Sequence, residues 1–570
     1  MSAVLVGVTQ ATLLLSVLAA VLAPGVLTIP VLLIFWGVCV LYVGGSRFAV
    51  RTFLQRRRRR GERVAIYGAG GAGARLGSAL IGGQEFLPVA FVDDSAALQG
   101  SVINGIEVFG PEDLLRLVRE LEITRVLLAL PSVSRRRRKR IIERLEALQV
   151  HVQTMPNFSD VISGQARVDD ICDVDVADLL GRDSVPPDNE LLQSCIRDKV
   201  VLVSGAGGSI GSELCRQIVT LGPKRLLLFD HSELALYNIN RELKHSVDRD
   251  SSKSLEIVPL LGSALDRQRM TSILRTFAVQ SVYHAAAYKH VPIVEQNILQ
   301  GLRNNVAGTY RTAMAAQDAG VDNFVLISTD KAVCPTNVMG ASKRLAEMVL
   351  QGLHERGSTT RFCMVRFGNV LESSGSVVPL FREQIHRGGP VTVTHPEITR
   401  FFMTIPEAAQ LVLQAGALSK GGEVFVLDMG KPVKIDDLAR RMVHLMGLTV
   451  VTEKLLDGDI EIQYTGLRHA EKLYEELLIG DDVERSEHPM ILRAQEKWMP
   501  WDQLQEKIDQ LEKACEGHDC SLARQILRDA VEEYVPSADL VDLVWMSRND
   551  AATVARPSKV SPLSSWRQRR

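Results

Sequence analysis

The first stretch of the chain is apolar almost without interruption, and no charged side chain occurs before Arg47. Pro24, Gly25 and Pro30 break the run. The pattern therefore predicts a transmembrane helical hairpin over residues 1–46, with spans near Ala3–Leu22 and Val26–Gly45, each about long enough for the hydrocarbon core. A buried hairpin in a soluble domain is the alternative, but so long an uncharged stretch is rare outside lipid. A basic juxtamembrane segment follows at 47–62, with an arginine run at Arg56–Arg60. Cations directly after the second span hold that end in the cytoplasm. A secretion signal would place them before the apolar run.

Beyond the arginines, the pattern changes to apolar strands alternating with amphipathic helical segments. VAIYGAGGAGARLGSAL (Val64–Leu80) reads as strand, glycine turn and helix, with Gly68, Gly70 and Gly73 at GxGxxG spacing. LPVAFVDD ends at Asp93 and Asp94, and RVLLALP (Arg125–Pro131) supplies another strand. These predict a small Rossmann-like domain at 63–157. Its Arg135–Arg140 run reads as a solvated helix face, suited to anionic lipid heads. A connector is expected at 158–197. A second α/β series begins with KVVLVSGAGGSIGSEL and continues through RLLLFD, VPLLGSALD, SVYHAAA and NFVLISTDK. Strands alternating with helices imply a parallel, doubly wound sheet. The expected layout is completed by a catalytic domain with a substrate lobe at 198–500, C-terminal helices at 501–548, and a disordered tail at 549–570. The fold class is thus α/β, two Rossmann-like domains after a membrane hairpin.

Acidic and basic residues nearly cancel, leaving a formal net charge of -1, which gives no electrostatic support for general nucleic-acid binding. The eight cysteines are scattered without a CxxC pair, so neither a zinc site nor a disulfide framework is expected. The chemistry points elsewhere. Gly205, Gly208 and Gly211, with Ser209 and Ile210 between them, let backbone N–H groups approach a pyrophosphate at a helix N-terminus. Asp230, at the tip of the next strand, suits a ribose diol and favours NAD over NADP. HAAA at His284–Ala287, including Ala285 and Ala286, follows the fourth strand.

These motifs, together with LFDHSELALYNI, HAAAYKHVPIVE, NNVAGT, ISTDKAVCPTNVMGASK, RFGNVLESSGSVVP, TRFFMT and TGLRHAEKLYEEL, resemble the extended short-chain dehydrogenases/reductases. More closely, they resemble the membrane-anchored nucleotide-sugar 4,6-dehydratases of bacterial polysaccharide synthesis. The resemblance implies a hidden redox cycle on a nucleotide-sugar, UDP-N-acetylglucosamine being preferred: C4 is oxidised, water is eliminated across C5 and C6, and hydride returns to C6. It implies Asp330 as acid for the C6 hydroxyl, Lys331 as base for C5, Thr329 at O4, and Lys343 on the nicotinamide ribose. A lysine base needs a lowered pKa, which burial or the neighbouring Lys343 would supply. Lys289, His290 and Asn369 would contact substrate, and Arg400 and Arg468 its diphosphate.

The chain departs from the family pattern at Met339, where a tyrosine four residues before the lysine is usual, so the O4 proton has no assigned acceptor. Ser263 and His469-Ala470 are lesser departures. The resemblance further implies a homo-oligomer paired through the helices after Asn304 and Ser342, and a multi-pass inner (cytoplasmic) membrane protein with its catalytic domain in the cytoplasm. A 4-epimerase and a non-catalytic NAD-binding membrane scaffold are the competing readings. The first needs a tyrosine that is missing here, and the second rests on Met339 alone.

Overall fold

The computed structural model describes residues 2–22, 28–57, 61–82, 85–131, 133–155, 171–181, 185–248, 255–452, 455, 457–477, 483–537 and 539–554. The apolar N-terminus forms α1 (Ser2–Leu22) and α2 (Ile29–Arg57). Thr9, Thr12 and Ser16 of α1 return their hydroxyls to carbonyls one turn back, at 2.7, 2.8 and 2.8 Å, so their polarity is satisfied inside the helix. The Trp36 indole of α2 donates to Thr9 Oγ1 at 3.0 Å.

The two-span hairpin is met at one span only. Ile29–Arg47 is long and apolar enough to cross a bilayer; among the described residues α1 contributes the shorter apolar stretch Leu5–Leu18. Val26 and Arg58–Arg60 lie outside the described residues.

The chain divides into two compact units, one of Met1–Val133 with Ala147–Val174, the other of Ser134–Glu146 with Asp175–Arg570. In the first, seven strands order as β3-β4-β2-β1-β5-β6-β7. They are β1 (Glu62–Tyr67), β2 (Phe86–Val92), β3 (Val102–Ile103), β4 (Ile106–Phe109), β5 (Arg125–Leu128), β6 (His151–Thr154) and β7 (Cys172–Asp173). The inner strands are parallel, and β3 and β7 close the edges antiparallel. Val64, Ile66, Phe91 and Leu127 form the core beneath α3 (Gly71–Gly82). Outside this core lies α4 (Leu114–Glu120).

Helix α5 (Arg135–Glu146) corrects one expectation. It follows β5 in the chain yet groups with the second unit. Ile141, Ile142 and Leu145 are buried, Arg138 pairs with the buried Asp178 at 2.8 Å, and Arg441 pairs with Glu146 at 2.7 Å. The arginine run is therefore not wholly a solvated face. Amphipathic periodicity shows that one side of a helix is buried, but not against what.

The second unit is built on nine strands ordered β10-β9-β8-β11-β12-β13-β14-β16-β15. They are β8 (Val200–Ser204), β9 (Arg225–Asp230), β10 (Glu256–Leu261), β11 (Ser281–His284), β12 (Asn323–Ile327), β13 (Arg361–Arg366), β14 (Glu423–Leu427), β15 (Val483–Arg485) and β16 (Ile491–Ala494). All are parallel except β15 and β16. Both faces are covered. On one side, α6 (Ser209–Thr220) and α9 (Ile405–Leu418) pack on Leu226, Leu228 and Phe425; on the other, α7 (Gly308–Ala319) and α8 (Val338–Glu355) pack on Phe324 and Phe362. From β8 the chain proceeds to one side of the sheet and then returns at β11 on the other. That reversal opens a crevice at the carboxyl ends of β8 and β11, where doubly wound sheets bind ligands.

Two C-terminal helices, α10 (Trp501–Glu516) and α11 (Cys520–Ala530), lie over the face carrying α7 and α8. Gly352 of α8 leaves room for the Trp501 ring, since a Cβ there would stand 2.7 Å from it. Every residue of α8 from Val338 to Leu353 is buried by this one chain. Of the helix pair expected to form the oligomer contact, α8 is covered within the chain and α7 only in part. The tail expected to be disordered from Asn549 is helical as far as Val554, in a last helix beginning at Leu543, and 555–570 lie outside the described residues.

Candidate functional site

The crevice between β8 and β11 opens into a cavity of about 740 Å3. Its first wall is the glycine turn that joins β8 to α6. Gly205 has φ +70°, and a Cβ on Gly211 would stand 2.0 Å from the Gly205 carbonyl oxygen, so both glycines are required for the turn to close. Gly208 differs. It has extended backbone and caps α6, and an added Cβ would meet only the Gly205 carbonyl oxygen, at 3.3 Å. Its lack of a side chain keeps the N-terminus of α6 open to the cavity.

Gly208, Ser209, Ile210, Gly211, Ala285 and Lys343 line that space, whereas Gly205, Ala286 and Asp230 do not. Asp230 is buried, accepting Gly207 N at 2.9 Å and Ser232 N at 2.9 Å. Its first structural task is to tie down the glycine turn. Asp93 does the same in the small unit, accepting Ala69 N at 2.7 Å and Ser95 N at 2.8 Å.

The second wall carries the titratable groups. Strand β12 ends at Ile327, and Asp330–Ala332 form a single tight turn in which Thr329 Oγ1 accepts from the Lys331 N–H. Lys331 Nζ donates to Asp330 Oδ1 at 3.0 Å and to Asn369 Oδ1 at 3.2 Å, and lies 3.5 Å from Glu475 Oε1. Asp330 Oδ1 also accepts from Thr329 Oγ1 at 2.9 Å, while its Oδ2 is buried without a partner. Thr329, Lys331 and Asn369 line the cavity, and Asp330 is reached through Lys331.

Burial pulls the Lys331 ammonium down, but the Asp330 and Glu475 carboxylates outweigh it and hold the lysine above its ordinary value. The expectation of a lowered pKa at Lys331 is therefore reversed in the ligand-free protein. Lys343 is the depressed amine instead: burial brings it to about 8, only partly offset by Glu347. Its Nζ donates to the Ile327 carbonyl at 2.7 Å.

Lys343 and Met339 both face the cavity from α8, one turn apart. Asn337 caps this helix, accepting Gly340 N at 2.8 Å, and Glu295 accepts Val338 N at 2.6 Å. A Cβ on Gly340 would stand 2.1 Å from the Lys331 carbonyl, so glycine is what lets α8 abut the Asp330–Ala332 turn. Behind the turn, Glu347 accepts from Ser328 Oγ at 2.5 Å and from Arg366 Nε at 2.8 Å. Arg366 and Arg344 also pair with Glu496, in a fully buried network.

Lys289 and His290 complete the cavity with Tyr288 and the Ser373–Ser376 loop. Burial lowers the proton affinity of both, and for His290 the Lys289 charge adds to it. A π-helical turn at Arg303–Ala307 places Asn305 so that it binds both the N–H and the carbonyl of Tyr288, at 2.8 and 3.0 Å. His284 is held between Ser204 Oγ at 2.6 Å and Thr309 Oγ1 at 3.3 Å, and burial, with the Lys343 charge, drives it down to about 3. It acts as a neutral bridge between strands.

Arg400 and Arg468 do not line the cavity. Arg400 is buried, donating to the Thr399, Lys472 and Leu473 carbonyls and to Glu471, so its fork fixes a loop and is not free for a diphosphate. Arg468 is exposed. Glu475, given no role from sequence, lies within the TGLRHAEKLYEEL motif, and only the fold of that irregular loop brings it to Lys331.

Residues 201–496 match the family described as polysaccharide biosynthesis protein, more than half of the chain, and residues 1–156 match the one described as CoA-binding domain. The chain belongs to the polysaccharide biosynthesis protein family. It is 45% identical over 457 residues to "Capsular polysaccharide biosynthesis protein CapD" of Staphylococcus aureus, covering 79% of this chain and 74% of that one. It is 43% identical over 454 residues to "Probable polysaccharide biosynthesis protein EpsC" of Bacillus subtilis, covering 79% and 74%. A "UDP-glucose 4-epimerase" of Rickettsia rickettsii is 30% identical over 292 residues, covering 51% of this chain and 80% of that one. The polysaccharide biosynthesis family match falls on the second unit, which holds the cavity, and agrees with the dehydrogenase/reductase motifs that line it.

Proposed function

We propose that this protein is an NAD-dependent nucleotide-sugar 4,6-dehydratase, acting on UDP-N-acetylglucosamine and tethered to the cytoplasmic face of the inner membrane by the Ile29–Arg47 helix. One observation carries the reading: Lys331 Nζ and Asp330 Oδ1 share a hydrogen bond of 3.0 Å at the cavity wall. Elimination of water needs one group to take a proton from C5 and another to give one to the C6 oxygen. The ligand-free pair is ionic, an ammonium beside a carboxylate. Moving the shared proton from Lys331 Nζ to Asp330 Oδ1 breaks one N–H bond and makes one O–H bond. It leaves a neutral amine and a carboxylic acid, the two forms the elimination requires.

The residues present fit a dinucleotide. Gly208 leaves the α6 N-terminus open to the cavity, which Ala285, Met339 and Lys343 also line. Bound NAD would take and return the hydride. Gly208, Ser209, Ile210 and Gly211 would hold its pyrophosphate, and Lys343 its nicotinamide ribose. Lys289, His290 and Asn369 would hold the nucleotide-sugar. Thr329 is the hydroxyl nearest the pair and faces O4. Helix capping and a lysine held as ammonium are what the turn does without ligand; the dehydratase reading adds a reason for the buried, unpaired Asp330 Oδ2.

The epimerase relative favours a second reading, 4-epimerisation, on the same fold. Met339 weighs against it, since a thioether takes no proton from O4. The full-length protein incubated with UDP-N-acetylglucosamine and NAD separates the two by mass. A product lighter by one water supports dehydration, and an isomer of unchanged mass supports epimerisation. No conversion of any nucleotide-sugar would leave an NAD-binding scaffold.

A further inference from the structure

Glu475 is the group at this site that neither motif nor reaction has used. Its side chain is 3% exposed, and it stands beside a lysine that already has a carboxylate partner. Among the described residues it makes only two long ionic contacts, 3.5 Å to Lys331 Nζ and 3.8 Å to Arg400 Nε, and its buried Oε2 has no partner there. A buried carboxylate so poorly satisfied costs stability, and such groups are retained where they do something else.

We propose that Glu475 is a positioning residue for Lys331: with Asp330 it clamps the lysine as an ammonium, and it thereby decides the pH at which that lysine is released as a base. The inference rests on the dehydratase reading for what the lysine does once released. The charged groups facing Lys331 are Asp330 from its own turn, Glu475 from the 465–477 loop and Arg400 from the strand at Thr399–Arg400; Lys472 faces Glu475. Arg400 opposes the clamp, but it is shared with Glu471 and three carbonyls.

For Lys331 to pass its proton to Asp330, the field of a second carboxylate must be overcome. Burial favours the protonated form of Glu475, with Lys331 opposing, so the two groups titrate against each other. A neutral Glu475 frees the lysine, and a charged one restrains it. Oε1 lies between the two cations, nearer Lys331 Nζ at 3.5 Å than Arg400 Nε at 3.8 Å.

The test is the pH profile of the full-length enzyme with NAD and UDP-N-acetylglucosamine. The reactive pair keeps its proton on Asp330 Oδ1, so kcat follows the fraction of pairs in which the Lys331 amine is free. Glu475→Gln removes one of two restraining charges and should raise that fraction, and kcat with it across the plateau of the profile, by about tenfold. KM should stay within about twofold. An unchanged kcat, or a loss of rate at every pH, overturns the proposal. A second measurement does not depend on turnover: the rate at which an N-hydroxysuccinimide ester acetylates Lys331, followed by peptide mass spectrometry across pH. Its midpoint should fall in Glu475→Gln. If it falls while no nucleotide-sugar loses water, the dehydratase reading fails and the Glu475 clamp stands. If it stays, the clamp is wrong whatever the enzyme does. Should Glu475→Gln fail to fold, Glu475→Asp, which withdraws the carboxylate by one methylene, is read by the same midpoint.

Discussion

At the scale of single residues, the proposed elimination separates groups that would move protons from groups that would only fill space. Met339 belongs to the second kind. Met339→Leu should keep turnover within about fivefold, because a volume-conserving swap costs little where no proton is exchanged. Lys331→Ala, by contrast, should lower kcat by at least about a hundredfold while NAD stays bound, as expected when a general base is removed. Lys343 adds a stability effect with a defined sign. Its folded value of about 8 lies below the ordinary lysine value of 10.5, so between those limits the unfolded chain binds more protons and stability rises with pH. Lys343→Met should therefore raise the melting temperature of the NAD-free protein by a few degrees at pH 7, with the gain fading towards pH 10.5, while NAD affinity falls. Thr329, Asp330 and Lys331 were legible in the sequence because they are contiguous at a strand end. Glu475 was not, and Arg400 was misread, because both take their places from a loop whose path follows no periodicity. A guanidinium in a phosphate-binding motif looks the same whether it meets phosphate or backbone carbonyls.

At the scale of elements, close approach is what the glycines provide. Gly340→Ala would place a methyl 2.1 Å from the Lys331 carbonyl, so α8 or the Asp330–Ala332 turn must shift. The expected result is a loss of about 1–3 kcal/mol in chemical denaturation, together with lost turnover. Arg366 joins β13 to α8 and to Glu496. Arg366→Met would leave Glu347 and Glu496 to share Arg344 and should cost about 3–5 kcal/mol by the same measurement. The parallel strands could be read as continuous apolar runs because both faces of their sheet are covered. The antiparallel edge strands β15 and β16 could not, since Val483–Arg485 and Ile491–Ala494 are short and carry charges. The covering of α8 by α10 and α11 was equally hidden: an apolar helix face is the same whether it awaits a second copy or a later segment of its own chain.

At the scale of the whole molecule, the uncharged N-terminal stretch was legible because lipid tolerates so few residue types, and Ile29–Arg47 keeps that character in three dimensions. Val38 lies at its middle and is exposed. Val38→Asp should move the protein out of the membrane fraction in alkaline-washed preparations, an aspartate at a helix centre costing about 2.5–3.5 kcal/mol on insertion. The two glycine-rich openings were read as two consecutive domains joined by a connector at 158–197, but β7 falls in that connector and pairs with the first sheet. Helix α5 also breaks that division, since it lies between β5 and β6 in the chain and is buried among residues of the catalytic unit. The modules are therefore interleaved and cannot be inherited as separable cassettes. A recombination that exchanged everything before residue 158 for a foreign anchor would carry away Arg138 and Glu146, leaving Asp178 and Arg441 without their counter-ions. Exchange of anchors among relatives is open only to segments that bring a compatible α5 with them.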